Sequence, residues 1–278
     1  MLETWRVIPP EPFAGPENMA IDEALLALVG EGEAPPTLRF YEWRSPWVAL
    51  GTGQAASDLD LTALAERGWA LLRRASGGTA VLHRGQLGYA VILPTSHPLW
   101  EGDLPSSYQR IATPLALGLS RLGVLSEPAP PSLKATFAAG APPVAARVCF
   151  SALGPYELLD RCGRKLTGNS QIRRRHGSLQ HGTIQVSGNQ AELVDVLAGL
   201  EPSEMVTLAA YLQTRVGSLE ASAGREISGA DLADALGWAF EETLGICLSA
   251  GDLSGRERCA AAELVTTKYR DPGWTNRR

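Results

Sequence analysis

Apolar residues recur along the chain at two spacings, one typical of helices and one typical of strands. Ile21, Leu25 and Leu28 lie on one face of a helix, and Asn18 precedes them as a candidate N-cap. Ser228 offers a similar cap to a later helix, in a stretch like a capping box. The helical spacing predicts helices over 17–29, 59–67, 106–122, 191–200, 205–211 and 230–244.

Short apolar runs bounded by glycine or proline lie between these helices. Such runs are typical of strands. They predict strands over 38–41, 47–50, 69–72, 79–83, 89–93, 148–150, 165–167 and 179–186. The segment 126–146 follows neither spacing and is rich in alanine and proline, which predicts a long loop of the kind that often covers a site. The chain therefore mixes α and β structure.

Composition and charge narrow the classes of protein. With 25 Lys and Arg against 30 Asp and Glu, the net charge of −5 excludes an overall basic surface for duplex DNA or anionic lipid. The four cysteines lack a Cys-x-x-Cys spacing and are too few for a disulfide scaffold, so we expect reduced thiols. The chain shows neither a signal-peptide pattern nor a long apolar stretch, so we expect a cytoplasmic protein without a membrane anchor.

A glycine pair between two apolar runs is the sharpest local feature. Its stretch contains Arg73, Arg74, Ser76, Gly77, Gly78 and His83. Main-chain N–H groups at glycines can approach a ligand closely and form a nest for a carbonyl oxygen or a phosphate. A β-hairpin with a Gly-Gly turn explains the same pattern, and the pattern by itself favours the hairpin.

Six positive charges and no acidic residue lie between residues 161 and 175. They are Arg161, Arg164, Lys165, Arg173, Arg174 and Arg175. Such a cluster in an acidic chain suggests docking of an acidic partner, although a solvated basic face is the usual explanation of a charge run. Lys165 precedes a glycine turn at Gly168, with Gln171 three residues further on. A lysine so placed can hold an anion or a developing oxyanion.

Cys149 ends an apolar run and lies 16 residues before Lys165. A free cysteine is most often a small buried hydrophobe. Here, however, Lys165 or neighbouring arginines would favour the thiolate, which is the reactive form. The other three cysteines have no comparable setting and are expected to be structural. The histidines show no short ligand spacing, so the sequence gives only weak support to a zinc site, and no phosphate-loop motif is present.

Together these segments resemble the lipoate-protein ligase and octanoyltransferase family, and most closely the LipM-type octanoyltransferases within it. The likeness covers almost the whole chain. It includes the helix at 18–26, a first hairpin from 36–43 with Gly51 and Gln54, the 73–83 stretch as an acyl or lipoyl cradle, the Lys-x-x-Gly motif at 165–168, the Leu-Gln-His-Gly motif at 179–182, and Thr-Lys-Tyr at 267–269 followed by Trp274.

The resemblance implies an α/β (α+β) fold in which a mixed β-sheet packs with helices, as in biotin and lipoate protein ligase catalytic domains. It implies a catalytic domain over 1–250, a short helical extension of the same domain over 251–278, and a monomer. It assigns substrate binding to Arg73, Arg74, Ser76, Gly77, Gly78, His83, Gly168, Gln171, His181 and Gly182.

The resemblance also implies an activity. Cys149 matches the cysteine of the octanoyltransferases, which would carry an octanoyl group from octanoyl-acyl carrier protein to a lysine of an apo lipoyl domain, such as the glycine cleavage H protein. Lys165 would stabilise the thiolate and the oxyanion, His83 is a candidate base, and Arg173, Arg174 and Arg175 would dock the partners. No cofactor, metal, nucleic acid or membrane is implied.

Three alternatives stay open. In an ATP-dependent lipoate ligase, Cys149 would be a bystander, but Thr79 stands where ligases usually carry a third glycine and the chain leaves no room for a ligase-type accessory domain. A lipoyl-domain amidotransferase also uses a cysteine at this position. A binding module without chemistry would keep the basic cluster alone, whereas Cys149, Lys165, Gly77 and Gly78 are all present.

Overall fold

The computed structural model describes residues 2–132 and 136–277. Its strands are β1 Glu3–Ile8, β2 Pro12–Phe13, β3 Thr37–Trp43, β4 Trp47–Leu50, β5 Ala70–Arg73, β6 Val81–His83, β7 Gln86–Pro94, β8 Ser126–Pro128, β9 Thr136–Phe137, β10 Ala152–Leu153, β11 Leu158–Asp160, β12 Thr167–Arg173, β13 Gly177–Gln185 and β14 Ile246–Ala250. Its α-helices are α1 Gly15–Gly30, α2 Leu61–Glu66, α3 Leu104–Arg121, α4 Pro202–Arg215, α5 Leu219–Ala223, α6 Gly229–Leu244, α7 Gly255–Leu264 and α8 Pro272–Thr275.

The main sheet has the strand order β12-β13-β7-β3-β1-β14, with β2 paired to β3. The pairs from β12 to β3 are antiparallel, whereas β1 runs parallel to both β3 and β14, so the sheet is mixed. The strand β7 shows how the sheet is buried, because its side chains alternate between two layers. Tyr89 and Val91 pack in the core with α3 and α6, whereas Ala90 and Ile92 pack in the core with α1 and α7. The predicted fold class is confirmed.

A second sheet has the order β5-β4-β6, in which β4 runs parallel to β5 and antiparallel to β6. The hairpin interpretation of the Gly-Gly stretch is therefore wrong, because β4 lies between the two strands that the turn connects. The first hairpin expected from 36–43 is also wrong, since β3 and β4 belong to different sheets. The glycine turn instead faces the main sheet, where the Ser76 hydroxyl is hydrogen-bonded to His181 of β13.

The helix predictions are largely confirmed, with two corrections, and the predicted loop needs a third. Asn18 is not a cap, because α1 begins at Gly15 after Ala14; the Asn18 side chain is buried and accepts a hydrogen bond from Arg39. The 191–200 helix is a 3₁₀ turn at Gln190–Val196. The 126–146 loop contains β8, β9 and a 3₁₀ turn at Pro143–Arg147, while residues 133–135 lie outside the described residues.

The strand predictions also need correction. Residues 148–150 are not a strand, because Cys149–Ser151 form a 3₁₀ turn. The strand predicted at 165–167 begins only at Thr167, and β1 and β14 were not predicted at all. In the described ranges no helix has the length and apolar content needed to cross a membrane.

Candidate active site

A cavity of about 540 Å³ opens between the main sheet and the glycine turn. It brings together most of the residues that the sequence singled out. Apolar and aromatic side chains, including Met19, Tyr41, Trp43 and Tyr108, form much of the remaining wall. The sequence-predicted residues on its surface are Arg74, Gly77, Gly78, His83, Cys149, Gly168, Gln171, Arg173, His181 and Gly182.

Cys149 reaches this cavity through main-chain pairing with a distant segment. The Cys149 N–H donates to the Ala80 carbonyl at 2.9 Å, and the Ala80 N–H donates to the Arg147 carbonyl at 3.1 Å. Immediately after this contact the chain turns, and the Ser151 hydroxyl caps the turn by donating to the carbonyls of Ala145 and Val148. The half-buried thiol is thereby held beside the glycine turn.

The glycine turn requires glycine at Gly78. Its φ is +93°, a conformation that residues with a side chain rarely adopt. A Cβ at this position would lie 2.7 Å from Nη2 of Arg74 and 4.0 Å from Sγ of Cys149. Gly51 packs against the outside of the turn, where a Cβ would lie 1.8 Å from the Gly78 carbonyl oxygen. Gly78 therefore keeps the space between the guanidinium and the sulfur open.

Arg74 holds the shape of this turn. Its guanidinium donates to the carbonyl oxygens of Gly77 at 2.8 and 3.1 Å, of Thr79 at 2.9 Å and of Ala49 at 2.8 Å. Burial lowers the pKa of the Arg74 guanidinium, and the negative charge of a Cys149 thiolate opposes that effect. The N–H groups of Gly77 and Gly78 donate no hydrogen bond within the described residues, so they are available to a ligand oxygen.

Lys165 is buried behind Cys149 and does not line the cavity. Its Nζ pairs with the Glu157 carboxylate at 2.6 Å and donates to the carbonyl oxygens of Cys149 at 3.1 Å and Ala152 at 2.8 Å. Glu157 also accepts from the N–H of Gly154 at 2.6 Å. This ion pair ties together the two ends of the segment that carries the thiol.

Arg73 points away from the cavity, although it is adjacent to Arg74. It is fully buried, and its guanidinium donates to the carbonyls of Gly51 and Gln54. On its other side it donates to the carbonyls of Trp274, Thr275 and Arg277. Arg73 therefore fastens the C-terminal segment to β5.

A buried hydrogen-bonded chain connects the glycine turn to α1. Asp22 forms an ion pair with Arg39 at 2.6 Å and accepts from Nδ1 of His181 at 3.1 Å. Nε2 of His181 is hydrogen-bonded to the Ser76 hydroxyl at 2.7 Å. Next to His181, position 182 has room only for glycine, since an added Cβ would lie 2.6 Å from the Tyr89 ring.

His83 is held as a neutral imidazole. Burial lowers its pKa to about 3, although the hydrogen bond from Nδ1 to Gln86 Oε1 at 2.9 Å acts in the opposite direction. Gln86 Oε1 also accepts from Thr183, and its amide donates to Gln185, so its oxygen must face His83. The ring stacks on Trp43 with centroids 3.8 Å apart. This setting makes His83 a weak base.

The basic cluster of the sequence does not form one patch. Arg173 lies at the rim of the cavity, where it donates to the Ser107 hydroxyl at 2.8 Å, and Arg174 and Arg175 are exposed in the adjoining turn between β12 and β13. Arg161 and Arg164 lie beyond the other end of β12. Arg164 is paired there with Asp160 at 2.7 Å.

Sequence reasoning missed several residues that shape the site. Asp22 and Arg39 gave a usable signal, because a charged residue within an otherwise apolar helix or strand requires a buried partner. Tyr41, Trp43 and Tyr108 gave none, since each fits an ordinary core position. No group of three or more potential metal ligands occurs among residues 2–132 and 136–277.

Comparisons with known proteins show the family to which the chain belongs. Residues 14–241 match the lipoyl protein ligase A/B catalytic domain. Octanoyltransferase LipM from Moorella thermoacetica is 37% identical over 99% of both chains, and that from Kyrpidia tusciae is 35% identical over 100% of both chains. The bi-partite lipoate protein ligase of Thermoplasma acidophilum shares the fold, with a TM-score of 0.81 and 23% identity over 99% of this chain and 97% of that one. The chain therefore belongs to the lipoyl protein ligase A/B catalytic domain family.

Proposed function

We propose that the protein is an octanoyltransferase of protein lipoylation, which moves an octanoyl group from octanoyl-acyl carrier protein to a lysine of an apo lipoyl domain. The observation that carries this proposal is the half-buried Cys149 thiol in a largely apolar cavity beside unpaired N–H groups. The full-length octanoyltransferase relatives support the same activity. A cytoplasmic location stays a prediction.

The reaction takes place in two acyl transfers. The Cys149 thiolate attacks the thioester carbon of the donor, and the tetrahedral intermediate expels the carrier thiolate, which takes up a proton. The neutral amine of the acceptor lysine then attacks the new thioester. It loses a proton as the amide forms, and the Cys149 thiolate is released for the next cycle.

The glycine turn can stabilise both tetrahedral intermediates. The N–H groups of Gly77 and Gly78 are unused within the described residues, and Arg74 fixes the neighbouring carbonyls of Gly77 and Thr79. Donors that are held in place before the reaction need no reorganisation when the oxyanion forms. Losing one such donor typically costs about 100-fold to 1,000-fold in rate.

The cavity suits a medium-length acyl chain. Its wall carries Met19, Tyr41, Trp43 and Val81, and its volume of about 540 Å³ is ample for eight carbons. Each buried methylene contributes about 0.8 kcal/mol, so six of them contribute about 5 kcal/mol. Arg173 lies at the rim of the cavity, and Arg174 and Arg175 follow it in the exposed turn after β12; these three residues would contact the acidic surfaces of the two partner proteins.

Activity without ATP tests this function. The wild-type protein is incubated with octanoyl-acyl carrier protein and an apo lipoyl domain, beside Cys149→Ala and Cys149→Ser. We expect acceptor octanoylation by the wild type only. Modification that requires free octanoate and ATP, and that survives in Cys149→Ser, would instead identify an ATP-dependent ligase.

A further inference from the structure

The cavity wraps around β12, which lies at one edge of the main sheet. Asn169 of this strand is paired with Gly182, and Ser170 is paired with His181. Residues directly opposite each other share a face and successive residues alternate, so Asn169 and His181 lie on opposite faces of the sheet. Both line the cavity. The cavity therefore has one wall on the side of α1 and another on the side of α3.

The two walls differ in chemistry. On the side of α1 the wall is apolar and aromatic, with Met19 and Trp43. On the side of α3, Asn169, Gln171 and Arg173 present polar groups. An octanoyl chain needs only the apolar wall. A thioester donor, however, has a second part on the other side of its sulfur, and that part meets the polar wall.

Arg173 sets the direction of the hydrogen bonds along the polar wall. A guanidinium only donates, and Arg173 donates to Oε1 of Gln171 at 3.3 Å. The Gln171 amide therefore donates to Oε1 of Gln180 at 2.8 Å, and the Gln180 amide donates to the Tyr89 hydroxyl at 3.0 Å. The Tyr89 hydroxyl in turn donates to Oδ1 of Asn169 at 2.6 Å. Nδ2 of Asn169 has no acceptor among the described residues, so it is available to a ligand carbonyl.

The rim of the polar wall combines an apolar side chain with a cation. Arg173 donates to the Ser107 hydroxyl at 2.8 Å, and this hydroxyl donates to the Leu104 carbonyl at 2.7 Å. The Leu104 side chain lines the cavity and is 39% exposed. Arg173 is exposed and forms no ion pair with a carboxylate in the ranges 2–132 and 136–277. An anion at the rim would therefore find an uncompensated guanidinium.

We propose that the polar wall holds the phosphopantetheine arm of the carrier protein, with Nδ2 of Asn169 donating to the amide carbonyl nearest the arm's sulfur and Arg173 pairing with the phosphodiester. This site rests on the proposed function, because the arm is the part of octanoyl-acyl carrier protein that bears the thioester. From its sulfur outwards, the arm carries two amides, a geminal dimethyl group and the phosphodiester. From Cys149 outwards, the wall carries the Asn169 amide, the Leu104 side chain and the Arg173 guanidinium. The two orders match.

The length of β12 also suits the arm. The turn that carries Cys149 packs against the start of this strand, where a Cβ at Gly168 would lie 2.9 Å from the Phe150 ring. Gly168 and Arg173 are five residues apart in β12, which corresponds to about 17 Å along a strand. The arm has about 13 bonds between its sulfur and its phosphorus, and these span about 15 Å when extended. An arm that begins at Cys149 therefore brings its phosphate to the Arg173 side chain. Arginine binds phosphate well because its planar guanidinium can donate two parallel hydrogen bonds.

Thioester donors of increasing complexity test this site without the carrier protein. They are the octanoyl thioesters of pentanethiol, N-acetylcysteamine, pantetheine and phosphopantetheine. The second has the length of the first but adds one amide, and the fourth differs from the third by the phosphate alone. Acylation of Cys149 is followed by intact mass spectrometry without ATP or acceptor, and the rate of Cys149→Ala is subtracted.

We expect two separate gains for the wild type. The kcat/KM for acylation should rise about fivefold from the pentanethiol to the N-acetylcysteamine donor, as one neutral hydrogen bond provides. It should rise about tenfold or more from the pantetheine to the phosphopantetheine donor, because a hydrogen bond to a charged group is stronger.

Variants assign each gain to a residue. Asn169→Ala should lose the amide gain and keep the phosphate gain. Arg173→Gln should lose the phosphate gain, and Arg173→Lys, which keeps the charge, should restore most of it. Arg161→Gln removes an equal charge beyond the opposite end of β12 and should keep both gains.

Equal kcat/KM values for all four donors, or a phosphate gain that survives in Arg173→Gln, would overturn the site. Octanoyl-acyl carrier protein is assayed in parallel, and Cys149 acylation by this donor would leave the proposed function intact in that case. A further series with added ATP distinguishes the arm from a nucleotide phosphate. We expect ATP to leave the rates unchanged. Inhibition by ATP that disappears in Arg173→Gln would assign Arg173 to a nucleotide and would overturn the arm site.

Discussion

The substitution Gly78→Ala tests whether the glycine turn beside Cys149 requires a residue without a side chain at position 78. Gly78 has a φ of +93°, and an added Cβ would come 2.7 Å from Nη2 of Arg74. A positive φ costs a residue with a side chain about 1–2 kcal/mol. Relief of the contact also requires the guanidinium to move off at least one carbonyl, which costs about 1–2 kcal/mol more. We therefore expect the free energy of unfolding to fall by about 2–4 kcal/mol.

Gly77→Ala is the matched control. No atom lies within 4 Å of a Cβ added at Gly77, and its φ lies outside the left-handed region. The free energy of unfolding should therefore change by no more than about 1 kcal/mol. The assay is urea denaturation followed by the fluorescence of the 7 tryptophans. As a second readout, acylation of Cys149 should slow about 100-fold or more in Gly78→Ala. Similar losses of stability in the two variants would refute the argument.

The remaining predictions concern the groups around the cavity. Glu157→Gln leaves the ammonium of Lys165 buried without its counterion, so the free energy of unfolding should fall by about 3–5 kcal/mol in urea denaturation; a loss below 1 kcal/mol would show that the pair is solvated. His83 has its pKa lowered to about 3 by burial, so the folded protein resists protonation that the unfolded chain accepts near pH 6.5. Stability should therefore fall by up to about 1.4 kcal/mol per unit as pH drops below 6.5, and His83→Gln should show a shallower fall between pH 7 and 5; parallel curves would contradict this. Arg173→Glu should raise the KM for the carrier protein and weaken its salt dependence. The same change at Arg161, beyond the opposite end of β12, is the control and should leave the KM unchanged.

The sequence predicted those helices and strands in which the buried apolar residues form a clear pattern. Helices α3 and α6 each place apolar residues on a buried face, α1 is buried on most of its sides, and β7 carries an apolar run from Tyr89 to Leu93 because both of its faces are covered. The strands β1 and β14 escaped prediction for the opposite reason. They lie at one edge of the sheet and bury few residues, so neither shows the long apolar run of a central strand.

The sequence could predict which residues belong to the site, but not how they are arranged in it. Arg73 and Arg74 are adjacent where β5 ends, so their side chains must point in different directions, but only the packing determines which one faces the cavity. Cys149 gains its position by pairing with Ala80, far away in the chain. Such a contact leaves no periodic signal in the sequence. For the same reason the split of the basic cluster across the two ends of β12 could not be anticipated.

The most direct test of transfer through Cys149 is the isolation of the acyl-enzyme. Wild-type protein is incubated with octanoyl-acyl carrier protein in the absence of ATP, freed of the donor, and weighed intact by mass spectrometry before and after addition of an apo lipoyl domain. We predict one octanoyl group on the wild type and none on Cys149→Ala, followed by its loss from the enzyme and its appearance on the acceptor lysine. An acceptor that becomes octanoylated while no acyl-enzyme forms, or an acyl-enzyme that persists beside an unmodified acceptor, would contradict transfer through Cys149.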